Sequence, residues 1–191
     1  SDFVTSDHPD FRPTDVLEDA DGSLLVVDTG GWYKICCPTS QLAKPDVLGG
    51  IYRVRRTGAP RVNDPRGLKL NWATLDAAGF ARLLADPRPD VRERAMFRLG
   101  QIGVTAVPAL RDLLSTSKDE ETRAAAVWAL ARISGPEARD AVRTSLNDRG
   151  TKVVRAAVNG ISLWRDAAAA ASLLPLLTSP NAGISRIAAE A

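Results

Sequence analysis

Residues 90–103 read DVRERAMFRLGQIG, residues 121–134 ETRAAAVWALARIS, residues 152–165 KVVRAAVNGISLWR and residues 183–190 GISRIAAE, four segments set 31 positions apart. Aligned, they share a column of alanine (Ala95, Ala126, Ala157, Ala188) and a column of β-branched residues (Val91, Thr122, Val153, Ile184). A third column holds Leu99, Leu130 and Ile161, and a fourth Ile102, Ile133 and Trp164. Within a segment the columns fall at i, i+4, i+8 and i+11, which is one stripe of a 3.6-residue helix. A stripe that recurs at constant distance means that successive units repeat one packing surface. Alanine in the inner column lets two helix backbones approach, and the larger neighbours fill the space around it.

Working back from each segment, a second apolar set supplies the other layer of the unit. It comprises Phe80, Leu83 and Leu84, then Leu110, Leu113 and Leu114, then Val142 and Leu146, and last Leu173, Leu174, Leu176 and Leu177. Polar turns separate the two layers: Asp86-Pro87-Arg88-Pro89-Asp90, Ser115 to Glu121, Asn147 to Lys152 and Ser179 to Gly183. Proline at such a place cannot continue the first helix and leaves its neighbour extended. The expectation for residues 74–191 is a mostly α fold, an α-solenoid of about four two-helix repeats stacked in a right-handed sense. Solenoids finish on a polar capping unit, because the last repeat otherwise exposes its apolar face. No such unit follows the fourth segment, so further repeats or another domain are expected beyond Ala191.

Upstream the pattern changes. Val16-Leu17 and Leu24-Leu25-Val26-Val27 are short apolar runs divided by the turn former Asp21-Gly22. Ile51-Tyr52-Arg53-Val54-Arg55 alternates apolar and charged residues as a half-buried strand does. Residues 29–50 between them are rich in Gly, Pro, Thr and Ser and read as a long loop. Residues 1–57 are therefore expected to form a small antiparallel β segment, residues 58–73 a linker and residues 74–191 the helical repeats. Three strands have little with which to cover their own apolar faces, so this β segment calls for neighbours.

The turn followed by Val-Arg-x-x-Ala, as in Asp86-Pro-Arg-Pro-Asp-Val-Arg-Glu-Arg-Ala95, resembles HEAT repeats over residues 74–191. The second unit departs from the pattern with Thr122 in the valine column. The repeat arginine stands at Arg92 and Arg123 but one place later at Arg155 and Arg186. The stretch Arg12 to Gly31, in which Asp21-Gly22 joins two strands and the second ends in Val27-Asp28-Thr29-Gly30, resembles a blade of an NHL-type or glucose-dehydrogenase-like β-propeller. Such a blade followed by Ile51-Tyr52-Arg53-Val54-Arg55, a linker, Asn71-Trp72-Ala73 and HEAT units is similar to the planctomycete-type membrane-bound dehydrogenase family. The resemblance implies an exported parent protein, periplasmic or otherwise, with a propeller before the repeats. It also implies a haem c module or a quinone cofactor elsewhere in that parent, since this chain carries no Cys-x-x-Cys-His.

Composition narrows the classes of function. Residues 1–73 hold nine Lys/Arg against ten Asp/Glu, and residues 74–191 sixteen against thirteen, so neither half has the concentrated basic stripe of a nucleic-acid binder. No apolar run approaches the roughly 18–20 residues that span a bilayer, and Ser1-Asp2-Phe3-Val4 is no signal peptide. A Gly-rich phosphate loop, a nucleophile elbow and a metal-ligand cluster are all missing. His8, the single histidine, has no acid or base partner in sequence.

Few residues remain as candidates. Adjacent Cys36 and Cys37 could close a strained vicinal disulfide in an oxidising compartment, or stand as two loop thiols. Asp15 and Asp28 could face a propeller channel, or satisfy backbone donors in turns. Arg92, Arg123, Arg155 and Arg186 could form a ladder toward an acidic partner. The favoured alternative is a bond to the preceding turn's carbonyls or carboxylates, such as Asp86 or Asp119, because every unit carries the arginine. Trp128 and Trp164 are read as packing residues before ligand platforms. The expected function is that of a non-catalytic scaffold for protein interaction, binding a protein partner or other domains of its own chain. The alternative is a part of a sugar- or alcohol-dehydrogenase-like propeller oxidoreductase whose catalytic and haem parts lie elsewhere.

Overall fold

The structure, a computed structural model, describes residues 4–8, 10–31, 44 and 46–191. It divides into two compact units, Ser1–Pro65 and Arg66–Ala191. The division falls inside the stretch read as a linker.

In the first unit three strands, β1 (Pro13–Glu18), β2 (Leu24–Asp28) and β3 (Gly50–Val54), form an antiparallel sheet in the order β1-β2-β3. Leu17 stands opposite Leu25 and Leu25 opposite Arg53, while Asp15, Val27 and Ile51 form the neighbouring row. The β1–β2 turn is built as its residues dictate. Gly22 takes a positive φ, and the Asp21 carboxylate accepts from the Ser23 amide at 3.0 Å. Arg53 of β3 reaches back to Asp19 at 2.5 Å and Arg55 to Asp21 at 2.8 Å, tying the turn to the third strand. Coverage of the sheet is partial. Val26 is buried and Phe11 meets Tyr52 edge-on at 5.9 Å, whereas Leu17 and Ile51, which share the other face, are 60% and 71% exposed.

The second unit is helical in two layers. Hairpins pair α1 (Ala77–Leu83) with α2 (Pro89–Ile102), α3 (Val107–Thr116) with α4 (Glu120–Leu130) and α5 (Pro136–Thr144) with α6 (Thr151–Trp164). Short α7 (Ala170–Leu173), flanked by 3-10 turns at Ala167–Ala169 and Leu174–Thr178, precedes α8 (Ala182–Glu190). The first helices stack α1 on α3 on α5, and the second helices α2 on α4 on α6 on α8. The repeated columns lie between the layers: Ala95, Leu99, Ala126, Leu130, Val153, Ala157 and Ile161 are buried within one apolar interior, and Val91 of α2 and Ala188 of α8 are buried as well. Each fully buried leucine or valine there contributes about 1.5–3 kcal/mol relative to exposure.

Helix starts follow local chemistry. Asp119 caps α4 by accepting from the Thr122 amide at 2.8 Å, Asp76 caps α1 through the Gly79 amide, and proline opens α2, α3 and α5. Helix α6 has no cap of its own. Instead Glu120, in the first turn of the preceding repeat's α4, accepts from the Lys152 amide at 2.7 Å. This approach requires glycine at position 150, since a Cβ there would stand 2.6 Å from Glu120 Cγ. A neighbouring repeat thus completes the helix start.

Two local differences from the sequence pattern have physical causes. Residues 66–73 belong to the helical unit rather than to a free linker. The Trp72 indole N–H donates to the Gly67 carbonyl at 2.7 Å, the ring stacks on Phe80 at 6.2 Å, and Arg94 lies over it at 4.3 Å. Gly67, at φ +63°, sits so close to Val91 that a Cβ would fall 2.6 Å from the valine methyl. In the fourth unit, Leu174 and Leu177 are 64% and 40% exposed, whereas the pattern had placed them in the inner layer. Around Pro175 the chain winds as a 3-10 helix with three residues per turn, so Leu173 and Leu176 keep one face and Leu174 and Leu177 turn away.

Candidate functional site

A groove of about 540 Å³ crosses the exposed faces of α2, α4 and α6. Met96, Ala124, Ala125, Trp128 and Ala156 supply its apolar lining, and Arg155 and Asn159 of α6 stand at its far side. The turns before α2 and α4 place Asp86 and Asp119, and the first turns of α4 and α6 place Glu121 and Lys152, along one rim. These elements converge because the 31-residue repeat sets equivalent helix positions side by side, at the 8–10 Å spacing of packed helices. Asn159 occupies the position of Trp128 one repeat later.

Most charges around the groove are already engaged. Asp86 receives the Arg88 guanidinium at 2.8 Å, and that bond holds its carboxyl below the usual carboxylate range. Asp119 is lowered likewise by the Thr122 hydroxyl and amide that it caps. Lys152 pairs with Glu121.

The four repeat arginines separate into different roles. Arg92 donates to the Asp86 carbonyl at 2.7 Å. Arg123 is buried, donating to the Ser117 and Lys118 carbonyls at 3.2 and 3.1 Å and to both carboxylate oxygens of Asp148 at 2.9 and 2.8 Å. The bidentate bond lowers the Asp148 pKa and raises that of Arg123. Arg155 is exposed on the groove, with no hydrogen bond or ion pair among the described residues. Among the described residues Arg186 pairs only with Glu190, at 3.2 Å on the surface of α8. A shift of one position turns a side chain by about 100° around a helix, so the arginine that follows the valine column by two places leaves the turn that Arg92 and Arg123 bind.

Residues 78–162 match the sequence profile of the family described as HEAT repeats. The helical unit thus has a HEAT-type repeat fold. No curated protein matches the chain. Among solved structures, an engineered protein is similar at 25% identity and a TM-score of 0.38, over 61% of this chain and 60% of that one. The complex of CpcE and CpcF of phycocyanin lyase from Nostoc sp. PCC7120 is similar at 23% identity and 0.44, over 63% and 48%. A designed armadillo repeat protein in complex with a (KR)4 peptide is similar at 20% and 0.39, over 60% and 62%. The chain spans about half to three fifths of the length of these structures.

Beyond the groove, the HEAT repeats are tied to one another by ion pairs from unit to unit. Arg111 of α3 meets Asp140 of α5 at 2.7 Å, Arg123 of α4 meets Asp148, and Arg143 of α5 meets buried Asp166 at 2.8 Å. Trp164 packs partly against the HEAT core with Arg139 over its ring at 5.5 Å, and Trp128 touches the same core while facing the groove.

The remaining candidates lie in the first unit. Asp15 and Asp28 stand on opposite faces of the sheet and are not brought together. Asp15 accepts from the Val16 amide at 2.8 Å, while buried Asp28 accepts from the Arg12 and Gly30 amides at 2.9 and 2.8 Å. His8 Nδ1 accepts from the Asp10 amide. Cys36 and Cys37 lie outside the described residues. Among the described residues no group of three or more His, Cys, Asp and Glu could hold a metal, and no helix is long and apolar enough to cross a membrane.

Sequence reasoning missed Met96, Asn159 and Asp148. Met96 and Asn159 fall outside the buried columns, and the repeat spacing from Trp128 was the one signal that could have found Asn159. Asp148 falls at the position of Asp86 two repeats later, but its pairing with Arg123 of another repeat leaves no spacing signal.

Proposed function

We propose that the HEAT unit is a protein-interaction scaffold whose binding surface is the groove across α2, α4 and α6. One observation carries this. The groove combines a floor of small side chains, an accessible tryptophan and methionine, and polar groups with unused hydrogen-bonding capacity. Alanine gives a partner's backbone close access, and a half-exposed indole supplies apolar area at low entropic cost. Repeat proteins of this type bind protein partners, and the mild charge balance argues for protein over nucleic acid.

Selection of random dodecapeptides displayed on phage tests the reading. Peptides selected on the wild-type chain should bind it in solution and lose at least tenfold in affinity on Ala125→Trp, which fills the half-exposed groove floor while far-UV circular dichroism stays unchanged. Peptides that bind Ala125→Trp equally well would place the interaction elsewhere.

A second reading concerns the first unit. We infer that its sheet is part of a larger β assembly, a propeller oxidoreductase parent that is exported and uses haem c or a quinone. The open face with Leu17, Leu25, Val27 and Ile51 supports it, because an apolar sheet face needs a second layer, and so does the blade-like motif from Arg12 to Gly31. The parent reading frame tests it: upstream blades and a downstream Cys-x-x-Cys-His would favour it. A start codon that places Ser1 at the natural beginning of a 191-residue protein would overturn it.

A further inference from the structure

Resting on the groove as a protein-binding surface, the side chains around Trp128 narrow the class of partner. Arg155 projects at the groove with neither an ion pair nor a hydrogen bond among the described residues, and neither Asn159 nor the Trp128 indole has a partner there. By contrast, the carboxylates on the rim are each engaged: Asp86 by Arg88, Asp119 by the Thr122 amide, Glu121 by Lys152. A cationic ligand therefore has to compete with these bonds, whereas an anionic one finds a guanidinium ready for bidentate contact.

We propose that the groove binds an extended segment of a partner protein that carries an aspartate or glutamate. Arg155 takes the carboxylate, Asn159 bonds the backbone, and an apolar side chain beside the acid packs on Trp128. Arg155 and Asn159 are four residues apart on α6 and share one face, with about 5–6 Å between their Cβ atoms. That distance suits an acidic side chain and the amide that follows it. An amide side chain offers both a donor and an acceptor, which is what a peptide unit requires, and the indole adds a donor. An extended segment matches the groove in length. Three helices at 8–10 Å spacing give a path of roughly 16–20 Å, which about five or six residues cover at ~3.3 Å each.

The dodecapeptides selected on the wild-type chain supply the test. They should be enriched in Asp or Glu next to an apolar residue. A fluorescein-labelled selected peptide and its copy with the acid changed to the matching amide are then titrated by anisotropy. On the wild type the amide copy should bind about tenfold more weakly. On Arg155→Gln, a substitution at an exposed position, the two peptides should bind alike, and raising the salt concentration should cease to matter. Peptides that depend on the groove, as judged by Ala125→Trp, yet show no acidic preference would overturn this proposal and leave the scaffold reading standing. Enrichment in Lys and Arg would do the same. Continued discrimination by Arg155→Gln would overturn the assignment of the carboxylate to that residue. If no peptide depends on the groove, both readings fail together.

Discussion

The helical unit and the three-stranded sheet resolve the same problem of apolar residues in opposite ways. In the helices the columns at 31-residue spacing end inside a continuous interior, because each hairpin offers the next a copy of its own surface. In the sheet, Leu17 and Ile51 remain open to solvent although they share a face, because one antiparallel layer has no copy of itself to stack on. Repetition makes the interior of a solenoid out of nearest-neighbour contacts. A sheet needs a second layer. Substitutions should therefore be costly where units meet in the helices and nearly silent on the open sheet face.

The largest effect is expected where one repeat holds the next through charge. Arg123→Ala removes a buried guanidinium that binds Asp148 and two carbonyls. Breaking a buried pair leaves its partner's charge uncompensated and costs about 3–5 kcal/mol. The lower end applies here, since Asp148 keeps the Gly150 amide at 2.7 Å. Urea unfolding followed by helical circular dichroism measures it, and a loss below about 1 kcal/mol would mean that the tie between repeats does not stabilise the stack. The pH dependence gives a second readout. Arg123 lowers the folded-state pKa of Asp148, so the pair's stabilisation is fully present above the ordinary carboxylate value of about 3.9. It is lost as pH falls through the lowered folded value. The wild type should therefore lose more stability than Arg123→Ala between about pH 5 and pH 2.

Next comes packing between the layers. Ala126 is fully buried at the inner column. Ala126→Leu inserts a branched side chain where two helices approach and should cost about 1–3 kcal/mol. An unchanged thermal melt would contradict the close approach of α4 to its neighbours.

The two units also differ in how far their arrangement was legible. Columns of buried residues recur along the chain, so Ala95, Ala126 and Ala157 announced the hairpins before any coordinates. Contacts that join one repeat to the next leave no such trace. Asp148, Glu120 and Asp166 sit in turns or first helical turns, and their partners lie 23 to 32 residues away on other elements. The slip from Arg123 to Arg155 was visible as a slip, but its consequence depends on which way α6 faces. Residues 66–73 looked like a linker because Pro65 and Gly67 are turn formers. Trp72 changes that, since only the fold shows its ring stacked on Phe80.

A smaller effect tests the helix starts. Asp119→Ala removes the cap of α4 and should cost about 1 kcal/mol, within the 0.5–2 kcal/mol range of such replacements. Asn for Asp at the same position should recover most of that loss, because an amide oxygen also accepts from the Thr122 amide. Failure of asparagine to rescue would point to the charge of Asp119 rather than its bond.

The smallest change belongs to the sheet, and it bears most directly on the contrast between the two units. Ile51 is 71% exposed at the edge strand β3. Ile51→Ser removes apolar area that water already reaches, so its cost should stay within about 0.5 kcal/mol, as for surface substitutions in general. Val26, two strands' worth of hydrogen bonding at the centre of the same sheet, is buried instead. Val26→Ser places a hydroxyl among apolar neighbours and should cost at least 1 kcal/mol. Hydrogen exchange of the β2 amides reads both variants within the full chain, free of the stronger helical signal. If Ile51→Ser speeds exchange as much as Val26→Ser, that face is covered in solution, and the sheet has already found the second layer that repetition gives the helices.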